Sequence, residues 1–415
     1  NFSLYDFLTE NFEFPVKGQL SYIKTSVKYA LIGTGLTNLL HYIYSICFPR
    51  LFINLNLYLQ LIVSVVGGLF SLLVYNDYES SLAVFLGTKI FAIFLIIYGI
   101  YKFIRQRRLA KISGYVMKAS NLILLKHPSL FLIEIFETLL VVVISLIFAI
   151  EYYAISSLSD NLWSYSSLFF YTGFSYYWIT HTIYYVSYMT VSCVAGYDFY
   201  LHNSSFMPKS IVFFAFKRAI TQQFGCAAYG GFVIAIIEVL KMMIKFIRPK
   251  DKKGKKSVFD VVYIVRYCIY YLLSCILNLI ESYMKYITRH ALIYCAIYDM
   301  TFSDATSRWH RKDFNSKIDK LFGQMMVNDA LFVSYIVSGL IVFGIFYLLF
   351  ANKVEELEET LVISAIMLYS VYFISSSLVK TSIDTIFVCY LEYPEKLQKR
   401  FGDLYKEMNK ISYHI

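Results

Sequence analysis

The sequence predicts an all-α protein that crosses a membrane several times. Its 415 residues are 58% hydrophobic and only 16% charged, which sets the chain apart from soluble globular proteins. The apolar residues gather in about nine long stretches, each near the ~20 residues that an α-helix needs to cross a ~30 Å hydrocarbon core. Alternating segments of about ten residues, typical of outer-membrane barrels, are not visible in the sequence.

The predicted spans follow one another with short connections. They lie near 22–47, 50–75, 82–104, 128–154, 165–199, 211–247, 259–285, 325–350 and 358–390. Several are longer than a bilayer requires, so those helices must tilt or extend beyond it. We predict one transmembrane domain over 22–392, preceded by an extracellular segment over 1–21 and followed by a basic cytoplasmic tail over 393–415.

Basic residues near the span ends predict the orientation. The segments after the third and seventh spans and the C-terminal tail are rich in lysine and arginine, and strict alternation places all three in the cytoplasm. The same alternation places the acidic loop Glu355–Glu359 and the N-terminal stretch on the outer side of the membrane. Asn1 begins an N-x-S glycosylation sequon in that stretch. The lysine-rich loop 248–257 would also lie outside. Either this loop is a tolerated exception, which we favour, or its flanking stretches are not simple crossings.

Two predicted cytoplasmic segments, near 105–127 and 286–323, are amphipathic. In the first, Leu109, Ile112, Val116, Ala119 and Ile123 recur at spacings of three and four. In the second, Trp309 precedes basic residues, and Ile318 and Phe322 follow at helical spacing.

We expect both amphipathic segments in the membrane interface, with their basic side chains against anionic lipid head groups. The net charge of +10 therefore indicates membrane lipid as a partner rather than nucleic acid.

No pattern in the chain points to an enzyme. Seven cysteines are scattered without CxxC spacing and are interpreted as apolar core residues, so no metal site is expected. Nucleotide-binding loops, zinc-protease motifs and nucleophile elbows do not occur in the sequence. We expect no cofactor and no ATP-driven step, and the oligomeric state stays open.

Ionisable residues inside predicted spans are candidate functional residues, because each costs about 2.5 to 3.5 kcal/mol at the bilayer centre. Glu134 and Glu137 lie one turn apart on one face of the fourth span, an arrangement that suits cation binding or proton coupling. Alternatively, they pair with basic residues of a neighbouring helix. The other candidates are Lys89, His181, Glu238, Arg266, Glu281, Lys380 and Asp384.

The fifth span is the most aromatic. A continuous helical stripe, with a second pair beside it, is formed by Phe170, Phe174, Tyr177, His181, Tyr184 and Tyr188, and by Trp178 and Tyr185. Ring faces attract quaternary ammonium groups, so we interpret Tyr177, Trp178, Tyr184 and Tyr188 as candidate cation contacts, with Glu134 or Glu137 as the charge partner. The alternative is aromatic packing against lipid or other helices in a protein from an AT-rich genome. His181 alone is more typical of a hydrogen-bonded packing residue.

Two glycines of the sixth span, Gly225 and Gly230, permit close helix approach and serve packing or gating. Asp384 lies deep in the last span and can accept from neighbouring hydroxyls or a basic partner. We interpret Asp384 and Arg289 as structural or gating residues near the cytoplasmic side.

Two segments resemble motifs of a known family. Val379–Glu392 reads VKTSIDTIFVCYLE and is similar to V-D-T-I/L-F-x-C-F/Y-L-E, and Thr288–Tyr298 reads TRHALIYCAIY and is similar to N-R-N-A-Y-I-x-x-A-I-Y-G. Weaker matches are Lys217-Arg218-Ala219 followed by Phe224-Gly225, Phe48-Pro49-Arg50 and Pro128-Ser129-Leu130. On these residues, the chain is similar to the choline transporter-like family of eukaryotic membrane proteins.

The resemblance implies ten helices with both termini in the cytosol, and sodium-independent movement of choline or related amines such as ethanolamine. With nine spans and a first residue that is not methionine, we expect one further helix of about 20 residues before Asn1. The sequence departs from the family at His290, where asparagine is usual, and in the cysteine run before the seventh span, which is thinned to Cys268 and Cys275. The two glutamates of the fourth span also stand in a stretch expected to be apolar.

Two functions remain open from the sequence. The first is a transporter of choline or a similar small organic cation, working by alternating access, at the plasma membrane or else in an organelle. The second is a non-transporting membrane subunit that binds lipid or scaffolds a larger complex. A solvent-reachable cavity lined by Glu134, Glu137 and the aromatic stripe would favour the transporter, and a close-packed interior the scaffold.

Overall fold

A computed structural model describes most of the chain. It covers residues 47–74, 82–107, 110–158, 162–201, 204–247, 261–311 and 376–401, with isolated positions between 32 and 44, 327 and 344, and 402 and 406. Throughout these ranges, the regular structure is helical and contains no strand, which confirms the all-α class. The Asn1 sequon, the lysine-rich loop 248–257, the acidic loop Glu355–Glu359, and Ile318 and Phe322 lie outside the described residues.

The structure contains eleven described helices. They are α1 Pro49–Val74, α2 Leu82–Arg107, α3 Ala110–Lys126, α4 Ser129–Leu158, α5 Leu162–Leu201, α6 Ile211–Thr221, α7 Phe224–Ile247, α8 Val261–Tyr298, α9 Phe302–His310, α10 376–392 and α11 Pro394–Arg400. α3 ends directly before His127-Pro128, because the residue preceding a proline is disfavoured in the helical conformation.

Two predicted boundaries differ from the structure. The predicted sixth span, 211–247, is two helices, α6 and α7, separated at Gln222 and Gln223. α8 continues to Tyr298, so 286–298 is the last part of a long helix, and its side chains from Ala291 to Ala296 are buried. Hydrophobic periodicity locates apolar stretches but does not resolve a short break between two helices.

Three described helices contain segments that are long and apolar enough to cross a membrane: Pro49–Leu72, Ser129–Ile155 and Phe224–Lys245. α5 is longer, but its tyrosine, serine and threonine residues lower its mean hydropathy. These helices identify an integral membrane protein. The count of nine spans stays a prediction.

The chain divides into two compact units. The first comprises 1–121 and 322–377. Within it, α1 and α2 run antiparallel, since the ring centroids of Tyr58 and Phe103 lie 5.3 Å apart and the Lys89 ammonium donates to the carbonyl of Leu72. Lys102 pairs with Asp329 at 2.6 Å.

α5 is the central helix of the second unit, which comprises 122–321 and 378–415. α4 runs antiparallel to α5, with Ser145 and Tyr176 hydroxyls 3.1 Å apart. α7 also runs antiparallel to it, because the Trp178 indole donates to the carbonyl of Ala228 at 2.9 Å and Gly173 lies beside Met242.

α8 and α10 run parallel to α5 and end beside its C-terminus. The Tyr200 hydroxyl lies 2.7 Å from the Tyr298 hydroxyl at the end of α8, and its ring packs edge-on against Tyr393 just after α10.

Ionic contacts join the segments at this end of the second unit. The Asp198 carboxylate is 0% exposed and accepts from Lys126 at 2.5 Å and from Arg400 at 2.9 Å. Glu392 accepts from Arg308 at 2.7 Å. The segments that alternation assigns to the cytoplasm, the end of α3, the region after α8 and the tail, therefore lie together at one end, which we call the basic end.

Both predicted amphipathic segments pack on protein where they are described. In α3, Ile112, Val116, Ala119 and Ile123 are buried. Trp309 on α9 is 2% exposed, and its ring stacks on that of His290 with centroids 4.1 Å apart. A position in the membrane interface stays a prediction.

Candidate functional site

The two glutamates of α4 point into the protein. Glu134 and Glu137 are 3% and 7% exposed, whereas Leu132 and Leu139 on the same helix are 68% and 60% exposed. α4 thus offers an apolar face to its surroundings and both carboxyl groups to α5. Glu137 lies beside Glu134 and the Ser187 hydroxyl of α5.

Two tyrosines of the predicted stripe, Tyr184 and Tyr188, meet charged residues of α8 and α10. The Tyr188 hydroxyl donates to Asp384 Oδ2 at 3.1 Å, and both residues are buried. Arg289 lies within electrostatic range of Asp384, Tyr184 and Tyr188. Tyr184 in turn lies near both α4 glutamates.

These contacts define one group of buried and half-buried side chains where α4, α5, α8 and α10 converge. We call it the carboxylate cluster: Glu134, Glu137, Tyr184, Tyr188, Arg289 and Asp384. Within the described structure, Glu137 Oε2 and Arg289 Nε are buried without a hydrogen-bond partner. Such atoms are costly to bury unpaired.

A second charged group joins α7 to α8. Lys241 pairs with Glu281, which also pairs with Lys285, and the Lys285 ammonium lies 3.3 Å from Glu238 Oε1. We call these four residues the ion-pair network. It provides both span glutamates with basic partners.

Tyr177 and His181 are neighbours of the ion-pair network. Tyr177 lies near Glu238 and Lys241, and His181 lies near Glu281 and Lys285. The helical stripe therefore passes from the ion-pair network to the carboxylate cluster along α5.

Trp178 lies against α7. The residue is 38% exposed, and its ring packs on Phe174 and Phe232, with centroids 5.8 and 5.6 Å away. Its indole nitrogen is occupied by the Ala228 carbonyl. The structure thus brings Tyr184 and Tyr188 to the carboxylate cluster, and it gives Trp178 contacts along α7 instead.

The two candidate glycines have different surroundings. A Cβ atom added at Gly230 would lie 2.9 Å from Thr288 Cγ2 and 3.4 Å from the Tyr185 ring, so this glycine brings α7 close to both α5 and α8. A Cβ atom at Gly225 would meet nothing within 4 Å. Gly230 is a packing residue, and Gly225 is free of such contacts.

Two described cavities have volumes of about 490 and 600 Å³. Neither is lined by Glu134, Glu137 or the aromatic residues of α5. Neither of these two cavities therefore reaches the carboxylate cluster. Among the residues that the structure describes, no group of three His, Cys, Asp or Glu side chains is placed to hold a metal ion.

Several residues with structural roles at the site were not singled out in the sequence. Asp198 lies next to the last residue of the predicted fifth span, 165–199. An acidic residue at that end of a span could have been matched with the basic segments predicted on the same side of the membrane. Lys285 is four residues after Glu281, a spacing that predicts a helical ion pair. Gln223 gave no signal, because its role, donating to the Cys295 carbonyl at 2.6 Å, depends on the break between α6 and α7.

Comparisons with known proteins agree on one family. The sequence profile described as plasma-membrane choline transporter matches residues 89–395. The protein PNS1 of Gibberella zeae is 27% identical over 57% of this chain and 44% of its own length. Choline transporter-like 2 of Drosophila melanogaster is 24% identical over 55% of this chain and 28% of its own length. A CTL-like protein of Dictyostelium discoideum is 26% identical over 58% of this chain and 42% of its own length. The chain spans less than half the length of these relatives.

Proposed function

Because the chain belongs to the choline transporter-like family, we propose that it carries choline or a related small organic cation, such as ethanolamine, across a membrane. Transport proceeds by alternating access without ATP, through nine spans in this chain, and the plasma membrane is the proposed location. The observation that carries the proposal is the carboxylate cluster, in which α4 turns two acidic side chains toward the tyrosines of α5.

The charges of the cluster suit a cationic substrate. Asp384 lies near Arg289 and Lys380, whereas Glu134 and Glu137 lie beside each other and near Tyr184. The two carboxyl groups of α4 are therefore the ones we assign to a cation from outside the chain. The faces of Tyr184 and Tyr188, whose ring centroids lie 6.2 Å apart, supply the electron-rich surface that a quaternary ammonium prefers.

Uptake of labelled choline into vesicles containing the purified chain tests this proposal. Tyr184→Leu should raise KM by about 2- to 30-fold, the range that corresponds to one cation–π contact. Glu137→Gln should lower kcat/KM by about tenfold or more, since it replaces an ionisable carboxyl group of the cluster by a neutral amide. Glu151→Gln is the matched control, because Glu151 lies on the exposed part of the same helix.

Thermal unfolding of each purified variant separates loss of function from loss of folding. Normal uptake by a well-folded Glu137→Gln variant would exclude a substrate role for the cluster. Normal uptake by the double variant Tyr177→Ala, Trp178→Ala would restrict the cation contacts to Tyr184 and Tyr188.

A second candidate is a non-transporting subunit that binds lipid or scaffolds a larger complex. The positions of the two described cavities favour it, because neither cavity reaches Glu134 or Glu137. In that case the carboxylate cluster is a structural network, and no amine in a panel of quaternary and primary amines should be transported or bound in competition with choline.

A further inference from the structure

A cavity of about 600 Å³ opens at the basic end of the second unit, separate from the carboxylate cluster. Its lining includes Lys126 at the end of α3, Ser129 and Leu132 in the first turn of α4, and Lys209 and Phe213 around the start of α6. Ser129 also begins the most apolar of the three membrane-crossing segments, Ser129–Ile155. With Ser129–Ile155 as a membrane crossing, the cavity lies where α4 enters the membrane, at the predicted boundary between hydrocarbon and water.

Positive charge prevails on the water-facing side of this cavity. Lys209 is exposed, and Lys126 pairs with Asp198, which also holds Arg400. Among the described residues, Asp198 is the carboxylate recorded beside these cationic side chains, so their balance is positive.

The start of α6 adds a backbone contribution. No acidic residue occupies its first turn, and the Ser210 side chain makes no capping hydrogen bond. The first N–H groups of a helix carry partial positive charge and bind anions readily.

The membrane-facing side of the cavity is apolar. Leu132 and Phe213 are each 68% exposed, and Phe206 in the adjoining loop is 83% exposed. Exposed apolar side chains next to basic ones are typical of surfaces that bind an amphiphile with an anionic head group.

We propose that this cavity binds one anionic phospholipid. The phosphate lies between Lys209 and the start of α6, and an acyl chain runs along Phe213 and Leu132. This site is independent of the transported substrate, since it shares no residue with the carboxylate cluster or the ion-pair network.

Native mass spectrometry of the purified chain in detergent tests the site. Micelles are doped with phosphatidylglycerol or, for comparison, with zwitterionic phosphatidylcholine. The wild-type chain should retain phosphatidylglycerol in preference to phosphatidylcholine. Lys209→Gln should weaken that retention about fivefold, as expected for one basic side chain near an anionic lipid.

Lys217→Gln is the matched control. Lys217 is also exposed on α6 but does not line the cavity, so its substitution should leave retention unchanged. Phe213→Ser should weaken retention of both lipids, because it removes the acyl-chain contact. All three substitutions are at exposed positions, and a melting curve in undoped detergent verifies that each variant folds.

Three outcomes would overturn the proposal. The first is equal retention of both lipids by the wild-type chain. The second is an equal loss in the Lys217→Gln and Lys209→Gln variants, which would indicate diffuse surface charge. The third is displacement of phosphatidylglycerol by soluble glycerol 3-phosphate at millimolar concentration, which would indicate a site for free phosphate esters.

Discussion

Asp299 ends α8 in a left-handed conformation. Its φ of 57° is unusual for a residue other than glycine, although aspartate tolerates it better than most. The carboxylate accepts from Gln223 Nε2 at 3.1 Å and pairs with Arg218 at 3.2 Å. The hydrogen bond from Gln223 and, to a smaller extent, that from Arg218 hold the pKa of Asp299 below its usual value. One side chain thus ties the end of α8 to α6 and to the start of α7.

Asp299→Asn tests this tie through its pH dependence. A carboxyl group with a lowered pKa stabilises the fold fully above the pKa of the unfolded chain, about 3.9, and loses that contribution as the pH falls further. The stability advantage of the wild-type chain over Asp299→Asn should therefore be constant between pH 7 and about 5 and should shrink toward pH 3. Thermal unfolding in detergent at several pH values measures this stability difference.

Asp299→Ala should be less stable than Asp299→Asn at every pH, because alanine disfavours the left-handed conformation. A difference between wild type and Asp299→Asn that does not change with pH would contradict this account.

The sequence alone identified most of the charged residues in the interior, but it did not identify their partners. Glu134, Glu137, Glu238, Glu281 and Asp384 were all candidates because charge is costly inside a span. Which of them meet a lysine or an arginine depends on how distant helices face one another. Glu238 and Glu281 proved to have lysine partners, whereas Glu137 has another glutamate beside it.

The contact between α5 and α7 depends on a glycine that leaves no room for a side chain. A Cβ atom at Gly231 would lie 2.7 Å from the Thr182 hydroxyl, 2.9 Å from the Thr182 nitrogen and 3.2 Å from the Trp178 carbonyl oxygen. Two of these atoms belong to the backbone of α5, which cannot rotate away as a side chain can. The two helices would have to separate to admit even a methyl group.

Gly231→Ala should therefore lower the free energy of unfolding by about 1 to 3 kcal/mol, the usual cost of overpacking. Gly225→Ala, on the same helix with open space around it, should be neutral or slightly stabilising, since alanine favours the helix. Paired thermal or denaturant unfolding measures the difference. Equal behaviour of the two variants would show that α5 and α7 do not pack at Gly231 as described.

Helical periodicity predicted α5 well and its surroundings poorly. The spacing of its aromatic residues correctly indicated one long helix, observed over Leu162–Leu201. It did not reveal that the stripe meets two different charged groups, because periodicity reports which side chains share a face and not which helices cover that face. The same limit explains why the spacing did not predict that Trp178, adjacent to Tyr177 in sequence, contacts α7.

For the whole molecule, the direction of the helices in the second unit bears on the orientation in the membrane. α7 and α8 form an antiparallel pair, since Gln223 contacts Cys295 near one end and Lys241 pairs with Glu281 farther along. α7 begins at the basic end, where α8 finishes, and so leads away from it. α7 therefore ends, at Ile247, on the side of the second unit opposite the tail segment α11, and the lysine-rich loop 248–257 follows it in the sequence.

Cysteine labelling in sealed cells tests this arrangement. Lys252→Cys, in the lysine-rich loop, should react with a membrane-impermeant maleimide added outside, whereas Lys399→Cys, exposed in the tail segment α11, should react only after permeabilisation. The unsubstituted chain measures the background from native cysteines such as Cys47. The rule that basic loops face the cytoplasm would place both positions there, because each lies in a segment rich in lysine. The antiparallel pair α7 and α8 requires opposite sides if both helices cross the membrane. Labelling of both positions from one side would therefore mean that α7 and α8 enter and leave through the same face, and that the charge rule outweighs simple alternation in this chain.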